Sequence, residues 1–372
     1  MRVLHGPLLT QGPEIEKFEK EFARFCGARF AVACSSATAG LHLAAMVLDL
    51  GPGDSWWTSP NTFCATADAA VRCGAEVDFI DIEWGTYNMD LGLLEERLKQ
   101  AARRNRLPKV VAPVHFAGNP VDLEFLGTLR RKFGFKVVED AAHATGASLR
   151  GEPVGSCRWS DLCVFSFHAV KIITTGEGGM VTTNSPALYQ KLTRLRTHGI
   201  SREPQHRSQG RRHPWYYEKL ELGNHYRMTD IQAALGRSQL RKIKTFQAKR
   251  EAIASIYGKS LAHLPMDLPR LTPGARSAWH LFPVCVKWPK SRRDFVLSRL
   301  RGHGVNGNLH YLPVPSFRFY RHRRWKRGFT ACPLAQKYGA RAISLPIFPG
   351  LSAKQQKDVI RVFQQTLQTQ CR

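Results

Sequence analysis

The sequence predicts an α/β fold in which helices flank a mostly parallel sheet. Apolar runs of strand length recur through the first half of the chain, beginning with FAVAC at 30–34. Segments with helical periodicity separate several of these runs. The turn SSATAG at 35–40 joins the first run to an apolar helix, and such strand–turn–helix units are typical of parallel sheets.

The remaining elements follow in chain order. Further strands are predicted at EVDFIDI (76–82), VVAPVHF (110–116), FKVVED (135–140), DLCVFSF (161–167) and GGMVTTN (178–184), with helices at 88–104 and 121–133. Near residue 240 the pattern changes: one long helix over 230–264 leads to a strand at 278–288 and a last helix at 352–368. We therefore predict a large domain over 1–240 and a smaller α/β domain over 241–372.

The composition indicates a globular protein with anionic ligands. The chain has 372 residues, of which 43% are hydrophobic, and a net charge of +26. The segment RFYRHRRWKRGF at 318–329 mixes basic and aromatic residues, as single-stranded nucleic-acid sites do, but a solvated surface loop also explains it. No zinc-finger, RNP1 or GxxG signature supports the first interpretation, so no nucleic-acid partner is expected.

Other classes of protein are disfavoured by what the sequence lacks. No stretch approaches the roughly 20 apolar residues of a membrane span, and the N-terminal segment has no secretory apolar core. We expect a cytoplasmic protein without a membrane span. The nine cysteines show neither CxxC nor metal-ligand spacing, so neither a disulfide framework nor a metal site is predicted.

One lysine suggests a specific chemistry. Lys171 lies in VFSFHAVKIITTGEGGM (164–180), between an apolar run and a glycine-rich turn. A lysine after a strand usually reaches for solvent. A partly buried lysine has a lowered pKa instead, and it can attack a carbonyl and form a Schiff base with pyridoxal phosphate. The rest of a cofactor site decides between these interpretations.

Other residues fit such a site. Asp140 ends a predicted strand, where it could pair with the pyridine nitrogen of the cofactor, and His143 could bond the phenolic oxygen. The turn SSATAG, with Ser36, offers hydroxyl and N–H groups to a phosphate, and Ser166 adds another hydroxyl. Phe63 could lie on the ring face. Each residue alone also fits a helix cap or core packing, but their joint occurrence favours a cofactor site.

With these residues in view, the chain resembles the DegT-type sugar aminotransferases. The similarity is carried by LTQGP, SSATAGLHLA, NTFCATADA, EDAAHATGA, GSCRWSDLCVFSFHAVKIITTGEGGMVTTN, HYRMTDIQAALG and ISLPIFPGLS, which span nearly the whole chain. The resemblance implies a fold-type I transferase dependent on pyridoxal phosphate, with a seven-stranded sheet. It also implies a homodimer with shared active sites.

Within that family the chain is similar to the transaminases of pseudaminic acid biosynthesis. The markers are VHFAGNPVDL, FSFHAVKIITTGEGG, LRTHGI, PWYYEKLELG and SAWHLFPV. This similarity implies L-glutamate as the amino donor, which converts the cofactor to pyridoxamine phosphate. The acceptor would be a UDP-linked 4-keto-6-deoxy-N-acetylhexosamine that is aminated at C4.

The resemblance also implies a role for each matching residue. Lys171 would bind the cofactor covalently and shuttle a proton, and Asp140 would hold the pyridinium. The other cofactor positions are Ser36, Ala37, Thr38, Phe63, His143, Ser166, Asn224 and His225. The segments that would line the sugar-nucleotide site are Pro7, Leu8, Leu9 and Thr10, and Asn308, Leu309, His310 and Tyr311.

Three departures from the family pattern modify these expectations. His225, in GNHYR at 223–227, replaces an asparagine that reaches the partner's phosphate, so we expect an altered contact and lower cofactor affinity. Eight residues precede LTQGP, fewer than in relatives, so one substrate-lining element is expected to be missing. HYLPVPSFRFYR (310–321) keeps the HY and the proline of the family pattern but lacks the HLQP that commonly follows them. This departure concerns the specificity for the acceptor sugar.

Two rival classes remain alongside this interpretation. A related subgroup dehydrates the sugar at C3 and has histidine in place of the cofactor lysine, and Lys171 argues against it. The charge and the departures would also fit a catalytically impaired protein that keeps the fold and binds or regulates a polyanionic partner.

Overall fold

The computed structural model describes residues 2–203, 213, 215–287, 290–322 and 330–368. The helices are α1 (Pro13–Cys26), α2 (Ala37–Val47), α3 (Ala65–Arg72), α4 (Leu91–Ala102), α5 (Leu123–Phe133), α6 (Pro186–Leu195), α7 (Asp230–Leu240), α8 (Ile243–Leu261), α9 (Lys290–Gly302), α10 (Arg318–His322), α11 (Pro333–Arg341) and α12 (Ala353–Gln368).

The strands are β1 (Phe30–Cys34), β2 (Ser55–Thr58), β3 (Glu76–Phe79), β4 (Val110–Ala112), β5 (Lys136–Asp140), β6 (Ser148–Leu149), β7 (Glu152–Pro153), β8 (Leu162–Ser166), β9 (Gly179–Thr183), β10 (Ile200–Ser201), β11 (Glu218–Lys219), β12 (Met266–Asp267), β13 (Ala275–Arg276), β14 (Phe282–Val286) and β15 (Ala342–Leu345).

Seven strands form the central sheet, in the order β1-β9-β8-β5-β4-β2-β3. All neighbouring pairs are parallel except those that β9 makes with β1 and β8. The predicted α/β fold with a mostly parallel sheet is therefore confirmed. β2 was not predicted, because SWWT is a short run without alternation, although all four of its residues are buried.

Both faces of the sheet are covered, because successive residues of its strands point to opposite faces. In β8, Val164 belongs to the apolar cluster that includes Leu41 of α2. Phe165 belongs instead to the cluster on the α1 face, where its ring centroid lies 5.0 Å from that of Phe22. The continuous apolar runs in the sequence are thus explained by burial on both faces.

The prediction of one long helix over 230–264 is wrong, because two helices occupy this region. α7 begins at a capping box, in which Thr229 accepts from the amide of Gln232. The chain turns at Lys242, whose amide donates to the carbonyl of Gln239, three residues back. α7 can therefore pack against α1 while α8 packs against α12. Helical periodicity does not detect such a turn, since no Gly or Pro marks it.

The C-terminal part has a sheet and a core of its own. β12, β14 and β15 form an antiparallel sheet in which β14 is central. Tyr257 of α8, Val284 of β14 and Phe363 of α12 are fully buried in one cluster beside it. β13 nevertheless pairs with β6 in a separate three-stranded sheet that also contains β7, so this part of the chain shares a small sheet with the N-terminal part. The domain boundary at 240/241 stays a prediction.

Candidate active site

The candidate site lies at the carboxyl ends of the parallel strands, where ligands of α/β sheets usually bind. β5 ends at Asp140 and its parallel neighbour β8 ends at Ser166. β9 runs in the opposite direction and begins at Gly179, which is paired with Ser166. The loop that carries Lys171 therefore starts and ends at the same edge of the sheet.

A cavity of about 320 Å³, here called the inner cavity, opens at this edge. It brings together ten of the residues predicted from the sequence: Ser36, Ala37, Thr38, Phe63, Asp140, His143, Ser166, Lys171, His310 and Tyr311. These residues come from segments far apart in the chain. The strand order of the sheet is what places them in one cavity.

Lys171 is half-buried on the wall of the inner cavity. Its backbone amide donates to the carbonyl of His168 at 2.9 Å, which closes a turn in the loop. Burial lowers the pKa of the Lys171 amine to about 8, against an opposing effect of the Asp140 carboxylate. A substantial share of the amine is therefore neutral, and hence nucleophilic, near physiological pH.

Asp140 is buried and held on both carboxylate oxygens. Oδ1 accepts from the amide of Ala142 at 3.0 Å, and Oδ2 accepts from the hydroxyl of Thr66 at 2.6 Å. Because Thr66 donates to the carboxylate, it accepts from Thr62, whose hydroxyl lies 2.8 Å away. Sequence reasoning missed Thr66; its signal is a hydroxyl in the first turn of the otherwise alanine-rich α3.

A group of histidines borders the cavity next to Lys171. His143 Nε2 lies 3.1 Å from the hydroxyl of Tyr311, and its Nδ1 has no hydrogen-bond partner in the described part of the chain. Burial lowers the pKa of His143 well below its usual value, and the nearby Lys171 lowers it further. Burial also lowers the pKa of His310 to about 4. Both imidazoles are therefore neutral hydrogen-bonding groups at neutral pH.

The start of α2 forms another part of the wall of the inner cavity. Ser36 caps this helix, and its hydroxyl accepts from the amide of Ala39 at 3.1 Å. A Cβ atom on Gly179 would lie 2.6 Å from the carbonyl carbon of Ser36 and 2.7 Å from the nitrogen of Ala37. Glycine is thus required where β9 passes the helix terminus. The partial positive charge of that terminus faces the cavity and suits an anion.

Other predicted site residues do not border the inner cavity. The side-chain Nδ2 of Asn224 donates to the sulfur of Met46 at 3.4 Å, and the ring centroid of His225 lies 5.5 Å from that of His198. Thr10 forms a bridge with Thr229. Pro7, Leu8, Leu9 and Leu309 are also absent from the cavity wall. The roles of these residues stay predictions; for His225 the resemblance implies a contact with the phosphate site of a second subunit.

The basic segment at 318–329 is only partly described. Residues 318–322 form α10, and 323–329 lie outside the described residues. Tyr320 is 2% exposed and donates to Asp68, so this aromatic ring belongs to the core and is not available for stacking on a base.

A second cavity, of about 590 Å³ and here called the outer cavity, shares Val170, Lys171 and His310 with the first. Its wall includes 169–172 of the lysine loop, residues of α7 and α8, and 344–349, which are the end of β15 and the residues after it. Asn308, predicted to line the sugar-nucleotide site, lies on this wall. Lys171 therefore borders both cavities.

The comparison with protein families shows to which family the chain belongs. The model of the DegT/DnrJ/EryC1/StrS aminotransferase family matches residues 1–364. The chain belongs to this family. The predicted family and its aminotransferase activity are thereby confirmed.

Two named proteins are similar to this chain over nearly its whole length. The spore coat polysaccharide biosynthesis protein SpsC of Bacillus subtilis is 36% identical over 363 residues, covering 96% of this chain and 90% of SpsC. PseC of Helicobacter pylori, an aminotransferase of pseudaminic acid biosynthesis, superposes with a TM-score of 0.89 at 28% identity, covering 99% of this chain and 95% of PseC.

A third relative was solved with its cofactor. The sugar aminotransferase Spr1654 of Streptococcus pneumoniae is 27% identical, and its pyridoxamine phosphate form superposes with a TM-score of 0.87 over 99% of this chain and 95% of its own. A pyridoxal phosphate form of it is also known. The fold-type I prediction is confirmed, and so is pyridoxal phosphate as the cofactor of the family.

The residues of the inner cavity fit this cofactor. Gly179 leaves the start of α2 open to a phosphate, and the Asp140 carboxylate is available to a cationic ring. The unpartnered Nδ1 of His143 leaves a hydrogen bond to be made.

The described residues include no helix with both the length and the apolar composition that spanning a bilayer requires. The cytoplasmic location stays a prediction.

Proposed function

We propose that this aminotransferase moves the amino group of L-glutamate to C4 of a UDP-linked 4-keto-6-deoxy-N-acetylhexosamine. The product would be a UDP-4-amino-4,6-dideoxy sugar, a precursor of pseudaminic acid or a related surface glycan. The observation that carries the proposal is Lys171, which borders both cavities and whose amine has a pKa of about 8. The superposition on PseC supports this choice of acceptor.

Lys171 does the proton chemistry in this proposal. Pyridoxal phosphate, when bound, supplies an electron sink that stabilises negative charge on the reacting carbon. The neutral Nζ of Lys171 removes the proton from the α-carbon of L-glutamate and later delivers a proton to C4 of the sugar. A pKa near the working pH suits an amine that must both accept and return a proton.

The surrounding residues hold and orient the cofactor in this proposal. Asp140 provides the negative charge that keeps a ring nitrogen protonated, and the hydroxyls of Thr62 and Thr66 fix the direction of its carboxylate. Ser36 and Ser166 offer hydroxyls to a phosphate beside the α2 terminus. These roles need no large movement, since the groups already surround one cavity.

The proposal includes a homodimer in which each subunit completes the other's site. Asn224 and His225 lie away from the inner cavity of their own chain, as residues that serve a partner would. Leu222, two residues earlier, is 79% exposed, and Trp215 in the same region is 67% exposed. Apolar side chains left this open are typical of surfaces that become buried against a partner.

The function is tested by visible absorption of the protein reconstituted with pyridoxal phosphate. We expect a band from the lysine-bound cofactor that disappears when L-glutamate is added and returns when the UDP-keto sugar follows. Lys171→Ala should lose the band and the turnover but keep its thermal stability, and Lys259→Ala, an exposed lysine on α8, should behave like the natural protein. A band that ignores L-glutamate would favour the binding or regulatory alternative.

A further inference from the structure

The outer cavity contains a buried positive charge that has no acidic partner among the described residues. Arg250 of α8 lines this cavity and is 3% exposed. Its Nη1 donates to the carbonyls of Trp279, His280 and Ile347 at 3.0, 3.4 and 2.9 Å. No described carboxylate forms an ion pair with it. Carbonyl dipoles alone offset the charge, which is unusual for a buried guanidinium.

Two buried nitrogens beside this cavity also lack partners. Arg250 Nε and His280 Nδ1 have no hydrogen-bond partner in the described residues, and both side chains lie on the cavity wall. Burial lowers the pKa of His280 well below its usual value, so the ring is neutral and one of its two nitrogens donates. Unsatisfied buried nitrogens cost stability unless a ligand completes them.

The position of the cavity limits which group can bind there. A bound cofactor would occupy the inner cavity, and the outer cavity would then still give access to Lys171 between the described residues. In an α-amino acid the carboxylate is attached to the carbon whose proton a base removes. The carboxylate must therefore lie close to Lys171, whereas the pyrophosphate of a UDP-sugar lies several bonds from C4.

We propose that the outer cavity binds the carboxylate of the amino donor, with Arg250 as its counter-charge and His280 as a hydrogen-bonding neighbour. This inference rests on the proposed function. A planar guanidinium pairs with a carboxylate more favourably than with a carbonyl, because the hydrogen bond gains charge. The donor would thus supply the anion that the described residues do not.

The ligand's charge is tested by calorimetry on the protein loaded with pyridoxal phosphate. The probes are glutarate, which has no amine to react, and glutaramide, its neutral diamide. We expect glutarate to bind at least about tenfold more tightly, as loss of a charged hydrogen bond predicts. Equal affinities, or no binding of glutarate, would overturn the proposal. Loading, and the loss of the visible band when L-glutamate is added to a separate sample, are read beforehand, so a failure of the proposed function is recognised before glutarate is tested.

A near-isosteric charge change tests the location. Gln239 of α7 lines the outer cavity, and Gln239→Glu places a negative charge there. We expect glutarate affinity to fall about three- to tenfold, from repulsion across a partly solvated cavity. Gln100→Glu, on the exposed side of α4, makes the same net change elsewhere and should leave affinity within about twofold. Equal effects of the two variants would contradict the assigned site.

Arg250 itself requires a control for folding, because it also joins three carbonyl groups. Arg250→Gln should abolish measurable glutarate binding, and Arg250→Lys should retain part of it through its charge. Both variants are first checked for the cofactor band and for thermal unfolding. If folded Arg250→Gln bound glutarate as tightly as the natural protein, the counter-charge assignment would be wrong.

Discussion

Lys171 is subject to two opposing effects that set its reactivity. Burial favours the neutral amine, and the Asp140 carboxylate favours the ammonium form, with burial the larger effect. The resulting pKa of about 8 lies well below the usual value for lysine, about 10.4. The neutral amine, which is the nucleophile, therefore becomes the major form as pH rises through 8.

This balance predicts the pH dependence of cofactor capture. The rate at which the unloaded protein binds pyridoxal phosphate, followed by the growth of the visible band, should rise with pH and reach half its maximum near pH 8. Asp140→Asn removes the effect that raises the pKa of Lys171, so its midpoint should shift to lower pH. A midpoint that stays in place or moves upward would show that Asp140 does not act on Lys171.

Individual site residues were predictable from the sequence where they end a strand. Asp140 and Ser166 each follow an apolar run, and parallel strands bring their ends to one edge. Thr66 and Arg250 were not predictable in this way. Their importance depends on what packs against them. Thr66 donates to the carboxylate of a residue 74 positions away in the chain. Arg250 donates to carbonyls of the residues just before β14 and just after β15.

At the level of elements, the contact between β9 and α2 shapes the anion-binding wall. β9 is the antiparallel strand of the central sheet, and its first residue, Gly179, passes directly beside the helix start. The neighbouring atoms are backbone atoms of Ser36 and Ala37, which cannot rotate away as a side chain could. The spacing of this wall thus depends on a missing Cβ.

Gly179→Ala should therefore damage both stability and cofactor binding. We expect the free energy of unfolding to fall by about 1–3 kcal/mol from overpacking and the cofactor dissociation constant to rise about tenfold. Denaturant titration and spectroscopic titration with pyridoxal phosphate measure the two effects. Gly258→Ala is the control: outside the backbone of its own helix and its chain neighbours, no described atom lies within 4 Å of the added Cβ, and α8 should gain about 1 kcal/mol. Similar losses in both variants would argue against the close approach as the cause.

Element boundaries were predicted best where local pattern and tertiary burial agree. FAVAC forms β1 over the predicted residues, because all but its first residue are buried. The region 230–264 shows the opposite case. Its residues keep helical periodicity through Lys242, but α7 packs against α1 and α8 against the C-terminal helix α12, so the chain must turn between them.

For the whole molecule, the surface beside Asn224 and His225 bears on assembly. Sedimentation should give a particle of twice the 41.9 kDa of one chain. Leu222→Asp, at an apolar side chain that is 79% exposed, should lower both the dimer fraction and cofactor affinity, because the proposed shared sites depend on the dimer. Leu107→Asp, at a less exposed leucine before β4, is the control. A monomer with undiminished cofactor affinity would contradict shared active sites.

The global properties of the chain predicted less than its motifs did. A net charge of +26 indicates anionic ligands but not which cavity holds them. The outer cavity could not be predicted from the sequence, because its wall is formed by distant parts of the chain. These parts are the lysine loop, α7, α8 and the residues after β15.

The pairing of Ser166 with Gly179 has a consequence for length variants of this protein. The sheet fixes both ends of the twelve-residue segment 167–178, and the amide of Phe167 donates to the carbonyl of Gly178 at 2.9 Å. Inserting one residue between Ser166 and Lys171 would displace the amine by up to about 3 Å while leaving every strand in register. The protein would fold with normal thermal stability but have no aminotransferase activity. In this segment the number of residues therefore matters as much as their chemical type.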